Sequence, residues 1–192
     1  MNWDERWIGM ASYVAEWSKD RSRKMGAVIV DDRNVVVAFG WNGFPRGVDD
    51  NVESRHQRPE KYNWTEHAER NALYNAAACG SSTLNCSIYQ TMYPCSPCAR
   101  GLVQAGIKEI VTFEPDWNDE TYKDDFRTSK EMLEECGVVV RFMKGSSPKR
   151  APNVSHCNHD HSIIDEDHDV FDWASYPDKK TVFKKILGLF KK

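Results

Sequence analysis

His67-Ala68-Glu69-Arg70-Asn71-Ala72 and, a short way downstream, Tyr93-Pro94-Cys95-Ser96-Pro97-Cys98-Ala99 are the stretches around which the rest of the chain is arranged. A catalytic zinc takes three protein ligands of the imidazole or thiolate kind and leaves its fourth position to water. His67, Cys95 and Cys98 form such a trio. Glu69 lies two residues past His67, too close for a comfortable fourth ligand and near enough to take a proton from a bound water. It is the candidate general acid/base. A structural zinc knot or a redox pair also uses Cys-x-x-Cys. A knot, however, needs a fourth protein ligand, and neither Cys79 nor Cys86 belongs to a second Cys-x-x-Cys.

Local signals around these motifs are consistent with a built site. Thr65 is expected to cap a helix that runs through Glu66, His67 and Glu69 and along 71–78, with Gly80 as its stop. That puts His67 in the first helical turn. Ser87-Ile88-Tyr89-Gln90-Thr91 reads as a strand, and Pro97 suits the first position of a second helix carrying Cys98 through Val103 to Gly106. Two helix N-termini then meet at the metal, where their positive ends favour thiolate over thiol.

Working outward, Asn2 and Glu5 have capping-box spacing, and Trp3, Trp7, Met10, Ala11, Val14 and Ala15 keep a helical stripe whose tryptophans read as core anchors. The segment Ser18-Lys19-Asp20-Arg21-Ser22-Arg23-Lys24 is either a solvated connection or a loop whose Arg21, Ser22, Arg23 and Lys24 offer donors to a phosphate. Strands over 25–30 and 35–40, joined by the turn Asp31-Asp32-Arg33-Asn34, form a hairpin. Trp41-Asn42-Gly43-Phe44-Pro45-Arg46-Gly47 is a shaped loop in which Asn42 serves either as a turn residue or as a partner for a ligand hydroxyl. The polar, helix-poor run 48–64 has the length of a lid or binding segment. A strand over 108–113 follows by a right-handed parallel crossover, then a polar helix over 120–136 and a last strand over 138–142. The sum is a sheet of about five strands with helices on both faces.

The whole sequence has 192 residues and a formal net charge of -3, with a pI near 6.1, which argues against a broad nucleic-acid backbone footprint. Its six cysteines read as reduced thiols, no signal peptide is apparent, and no apolar run is long enough for a membrane span, so a cytoplasmic setting is expected. Composition changes at Gly145. The expected organisation is a zinc-dependent domain over 1–144 and a flexible tail over 145–192. That tail holds His156-Cys157-Asn158-His159-Asp160-His161, a weak metal motif. It ends in a basic amphipathic helix with Val182, Phe183, Ile186, Leu187 and Phe190 on one face, read as a docking helix.

Over roughly 3–142 the chain resembles the deoxycytidylate (dCMP) deaminases of the cytidine deaminase superfamily. The resemblance is carried by Ser18-Lys19-Asp20 before Gly26-Ala27-Val28-Ile29-Val30, by the Trp41 to Gly47 loop with Asp49-Asp50 after it, by both zinc motifs, and by Gln104-Ala105-Gly106-Ile107-Lys108. The zinc motifs identify the superfamily, and the Asn-Gly-x-Pro loop narrows it to nucleotide deaminases. The resemblance implies a three-layer α/β/α sandwich with a mixed five-stranded sheet and a homo-oligomer, commonly a hexamer. It implies hydrolysis of dCMP to dUMP and ammonia by one Zn2+ per chain on His67, Cys95 and Cys98, with Glu69 moving protons. It further implies that Asn42 binds the deoxyribose, that the Ala68 backbone contacts the pyrimidine, and that 21–24 lies near the 5′-phosphate. A dCTP or dTTP effector, with Mg2+, would occupy a second site involving Gly43, Arg46, Asp49 and Asp50. Two departures stand out. Trp117 replaces a usual Tyr, and His56 is alone where some relatives hold an extra zinc.

Two rival readings share parts of this pattern. A nucleic-acid editing deaminase, acting on tRNA adenosine or single-stranded cytidine, has the same zinc motifs but calls for a basic, aromatic strand-tracking face that the acidic balance does not favour. A non-catalytic nucleotide sensor has no need of a proton shuttle, and Glu69 is present. The expected partner is therefore a small nucleotide, with no nucleic acid and no membrane.

Overall fold

The computed structural model describes residues 2–147. The sequence readings for the segment beyond Ser147, including the His156 to His161 motif and the 182–190 helix, lie outside the described residues.

Helix α1, Trp3–Ala15, opens with the expected capping box: the Asn2 side chain accepts from the Glu5 amide at 2.8 Å while Glu5 accepts from the Asn2 amide at 2.9 Å. Its buried face is Ile8, Ala11, Val14 and Ala15. Trp3 is not a core anchor: it is 50% exposed and stacks on the half-buried Trp7 at 5.7 Å between centroids. The reason is the closeness of α1 to the sheet. A Cβ on Gly26 would come within 2.0 Å of the Ala11 carbonyl oxygen, so only small side chains fit along that line and the bulky ones rotate outward.

Strand β1, Gly26–Val30, pairs antiparallel with β2, Val36–Trp41, through a turn in which Asp31 accepts from the Arg33 and Val35 amides. Every residue of β1 is buried because it is central and covered on both faces. Then come a 3-10 turn at Glu53–His56, the short helix α2, Lys61–Trp64, and helix α3, Ala68–Ala78. The run 48–64 is thus more ordered than its sequence suggests, since single polar turns leave no apolar periodicity to read. Strand β3, Ser87–Gln90, helix α4, Ser96–Gln104, strand β4, Glu109–Phe113, helix α5, Lys123–Glu135, and strand β5, Val139–Met143, complete the order. The last helix starts at Lys123 rather than Glu120 because Asp119 accepts from the Thr121 and Tyr122 amides and turns the chain there.

The sheet order is β2-β1-β3-β4-β5, with β1 antiparallel to β2 and β3 and the β3-β4-β5 half parallel. Ala11 of α1 packs with Val28, Val30, Tyr89 and Val111 on one face. Side chains of α3, α4 and α5 pack with Ala27, Ile29, Ile88 and Ile110 on the other. This is the expected α/β/α sandwich with a mixed sheet. Among the described residues no helix is long and apolar enough to cross a membrane.

The position of α3 depends on Gly40. A Cβ there would lie 2.2 Å from the Ala68 carbonyl oxygen and 2.3 Å from the Ala72 nitrogen, both backbone atoms that cannot step aside. Gly40→Ala is expected to destabilise the fold by about 1–3 kcal/mol or more and to lower metal retention, because the displaced helix starts beside His67. Gly9, with nothing within 4 Å of its added Cβ, is the control. Gly9→Ala in mid-helix should stabilise by about 0.5–1 kcal/mol. Denaturant melts with metal analysis of both variants check the pair.

Candidate metal centre and its pocket

His67 is the N-cap of α3, not a member of its first turn, and Thr65 is not the cap. Gly43 and Glu66 exchange backbone hydrogen bonds of 3.0 and 2.8 Å, which keeps the chain extended until His67. Cys95 occupies the same position at the start of α4, with extended backbone at φ -70° and ψ 164°. Neither residue uses its side chain as a cap, so an imidazole and a sulfur are left free beside two helix N-termini. Glu66 accepts from the His67 amide at 2.8 Å and pairs with Arg70 at 2.5 Å, steadying the first of these termini. Asp125 of α5 steadies the second by accepting from the Ser96 amide at 3.1 Å and from the Ser96 hydroxyl.

The His67 Nδ1 atom lies 3.3 Å from Cys95 Sγ and 3.4 Å from Cys98 Sγ, and all three donor atoms are within 4.8 Å of one another. Zinc bonds of about 2.0–2.3 Å in a tetrahedron require edges of roughly 3.6–3.8 Å, so the donors need to spread by only a few tenths of an ångström. The trio fits zinc in both number and chemistry. Cys79, Cys86 and Cys136 are free thiols outside it. Glu69 stands beside the trio, 7% exposed.

The charges at this end are strongly coupled. The hydrogen bond from Cys98, together with His67, draws the Cys95 thiol down to about 5. The Cys98 thiol is pushed up, first by its bond to Cys95 and then by burial. Bonding to Cys95 raises His67 to about 9, and burial raises Glu69 to about 7. A bound metal needs a neutral imidazole and deprotonated sulfurs, so metal uptake would release protons from these groups.

His67, Glu69 and Cys95 line a pocket together with Met25, Gly26, Gln90, Met92, Tyr93 and Phe126, and the same pocket is lined by the cations Arg23, Arg58 and Lys61, with Tyr62 and Tyr122. Asn42 and Ala68 also line it. The 21–24 loop divides. Arg23 lines the pocket, and its buried Nε has no hydrogen-bond partner. Ser22 accepts from Lys61 Nζ at 2.6 Å. Arg21 and Lys24 are not in the pocket lining: they pair with Glu53 at 2.6 Å and Glu16 at 3.1 Å, because the turn around Asp20 sends successive side chains in different directions.

Gly43 and Asp50 line a second, smaller cavity with Lys19, Phe44 and His56. Arg46 bonds Asn75 and Asp49 accepts from the Asn51 amide, and neither lines that cavity. Trp117 packs on Tyr93 at 5.3 Å and stays out of the catalytic pocket lining. Sequence reading missed Arg58, Lys61, Tyr62, Tyr122 and Asp125. The first three carried one usable signal, two cations and a tyrosine within a polar run of lid length.

Residues 1–114 match the cytidine and deoxycytidylate deaminase zinc-binding region. The deoxycytidylate deaminase of Homo sapiens is 32% identical over 146 residues, spanning 73% of this chain and 79% of its own. A probable deoxycytidylate deaminase of Drosophila melanogaster is 34% identical over 151 residues, spanning 73% and 72%. Among solved structures, the dCMP deaminase of cyanophage S-TIM5 in complex with dCMP and dUMP superposes with a TM-score of 0.59 at 27% identity, covering 72% of this chain and 95% of that one.

Removing one ligand gives a direct check of the metal assignment. Cys98→Ala is expected to lose most of the bound zinc, which the wild-type protein should carry at about one ion per chain. Elemental analysis after dialysis reads the difference, and full occupancy in the variant would contradict the trio.

Proposed function

The chain belongs to the cytidine and deoxycytidylate deaminase family, and from that premise we propose that it hydrolyses dCMP to dUMP and ammonia, supplying dUMP for thymidylate synthesis. The observation that carries the reading is a single pocket whose lining combines Glu69 and two members of the zinc-competent trio, His67 and Cys95, with the cations Arg23, Arg58 and Lys61. A cytosine ring with a 5′-phosphate has matching parts. One is to be attacked by water, and the other carries negative charge.

Zinc, when bound, would be held by His67, Cys95 and Cys98 and would supply a water of lowered pKa. Glu69 takes a proton from the attacking water and passes it to ring N3, which makes C4 electrophilic. After oxygen has bonded to C4, Glu69 takes the remaining proton from that oxygen and delivers it to the exocyclic nitrogen; the C4–N bond breaks, the oxygen stays as the C4 carbonyl, and ammonia departs. The burial of Glu69 beside the trio keeps its carboxyl out of exchange with bulk solvent, which suits this two-way traffic. The Ala68 amide, among the first N–H groups of α3 and so without an intrahelical acceptor, is available to the pyrimidine O2. The guanidinium of Arg23, with its unpartnered Nε, and that of Arg58 offer charge-assisted hydrogen bonds to the phosphate.

The same proposal extends to a cytoplasmic homo-oligomer regulated by dCTP or dTTP with Mg2+. Support for the effector comes from the second cavity, which shares Asp20, Lys61 and Thr65 with the first. Support for self-association comes from exposed Trp3, Met10, Tyr13 and Trp17 along and just beyond α1. Five free cysteines among the described residues accord with a reducing compartment.

Ammonia release from dCMP, CMP, deoxycytidine and single-stranded DNA, measured side by side, tests the reading. The kcat/KM for dCMP should exceed that for deoxycytidine by at least about a hundredfold, roughly 2.7 kcal/mol of transition-state discrimination. Arg23→Met with Arg58→Met should cut that ratio to below about tenfold and leave the slow deoxycytidine reaction nearly unchanged, since binding energy at the phosphate positions the ring. Equal rates for nucleotide and nucleoside in the wild-type enzyme would overturn the nucleotide reading.

A further inference from the structure

Asp20 is 9% exposed and is the most heavily bonded carboxylate near the pocket. Its Oδ1 accepts from the Ser22 amide at 2.8 Å, the Arg23 amide at 3.2 Å and Lys61 Nζ at 2.6 Å. Its Oδ2 accepts from Asn42 Nδ2 at 2.9 Å. The second N–H of that amide goes to the Arg23 carbonyl at 2.9 Å, and Asn42 Oδ1 accepts from the Met25 amide at 2.8 Å.

An asparagine side chain has two N–H donors and one oxygen with two acceptor sites. Both donors of Asn42 are spent inside the protein, and one acceptor site is left. Exchanging the oxygen and nitrogen of the amide would set a carbonyl against the Asp20 carboxylate and an N–H2 against the Met25 N–H, so the orientation is fixed. Towards a ligand, Asn42 therefore accepts and does not donate. On the dCMP reading the sugar meets Asn42, which lines the same pocket as Glu69, Arg23 and Arg58, and in dCMP the one free sugar hydroxyl is the 3′-OH.

We propose that Asp20 is a positioning residue which, by holding the Asn42 amide in its acceptor orientation, makes the pocket select a sugar with a free 3′-hydroxyl and refuse one whose 3′ oxygen has no proton. The inference rests on the dCMP reading. It also gives a local reason for refusing the interior of a polynucleotide, where the 3′ oxygen is esterified and the phosphate brings negative charge towards Asp20.

The test crosses a protein change with a substrate change. Zinc-loaded wild-type enzyme and Asp20→Asn are assayed on dCMP, 2′,3′-dideoxycytidine 5′-monophosphate and its 3′-fluoro counterpart, which keeps an electronegative atom and lacks the proton. Asn at position 20 still offers an oxygen to the Ser22 and Arg23 amides but sets an N–H2 against that of Asn42. In the wild type both analogues should fall at least about tenfold below dCMP in kcat/KM. In Asp20→Asn that preference should shrink to within about threefold, with the larger loss on dCMP. A variant that slows all three substrates in one proportion, or none of them, overturns the positioning role. A wild-type enzyme that handles the 3′-fluoro compound as well as dCMP overturns acceptor-only selection, and this arm remains decisive if Asp20→Asn folds poorly. Failure of the wild type to deaminate dCMP at all would be a failure of the underlying reading instead.

Discussion

The direct contact between α3 and β2, with no side chain at Gly40 between them, is the constraint on which the rest of the site depends. It seats Ala68 and Ala72 against the sheet and so fixes where the N-terminus of α3 ends. The Gly43–Glu66 bridge then delays the helix until His67, which leaves the imidazole at an N-cap position facing the start of α4. Asp125 holds that second start in place through Ser96. Two helix N-termini thus start beside the two sulfurs and the imidazole, and the thiolate and imidazole chemistry follows from that placement.

The pocket lining brings together two members of a metal-competent trio, a buried carboxyl and several cations. Glu69 is buried beside the dication site. Guanidinium groups come from two segments that are distant in the chain, Arg23 before β1 and Arg58 before α2. Asp20 lies between these segments and bonds to residues of both, its carboxyl lowered by Lys61 and the Ser22 and Arg23 amides against the upward push of burial. One buried anion thus ties Ser22, Arg23, Asn42 and Lys61 together in the pocket wall.

The parts of this arrangement that were legible in the sequence are local ones. His67, Glu69, Cys95 and Cys98 announce themselves because metal-ligand chemistry restricts residue type and spacing together. The strands and the parallel crossovers were legible from apolar runs punctuated by Gly and Asn. The cap of α3 was misplaced by two residues because Thr65 is a good cap by type, while the Gly43–Glu66 bridge that overrules it is a tertiary contact. Trp3 looked like an anchor because helical spacing does not reveal how close the sheet lies. Arg58 and Lys61 were hidden because polar single-turn segments carry no periodicity. Arg21 and Lys24 were grouped with Arg23 because composition does not show which way a turn throws its side chains.

In the proposed reaction Glu69, held beside a zinc trio, moves the protons of a hydrolytic deamination. Glu69→Gln tests it most directly, because the amide keeps the shape and can hydrogen-bond but cannot shuttle a proton. Zinc content, dCMP binding by calorimetry and ammonia release are measured on the same preparation. The account predicts bound zinc and bound nucleotide with turnover reduced by about a hundred- to ten-thousandfold. Undiminished turnover in a zinc-loaded variant would contradict it.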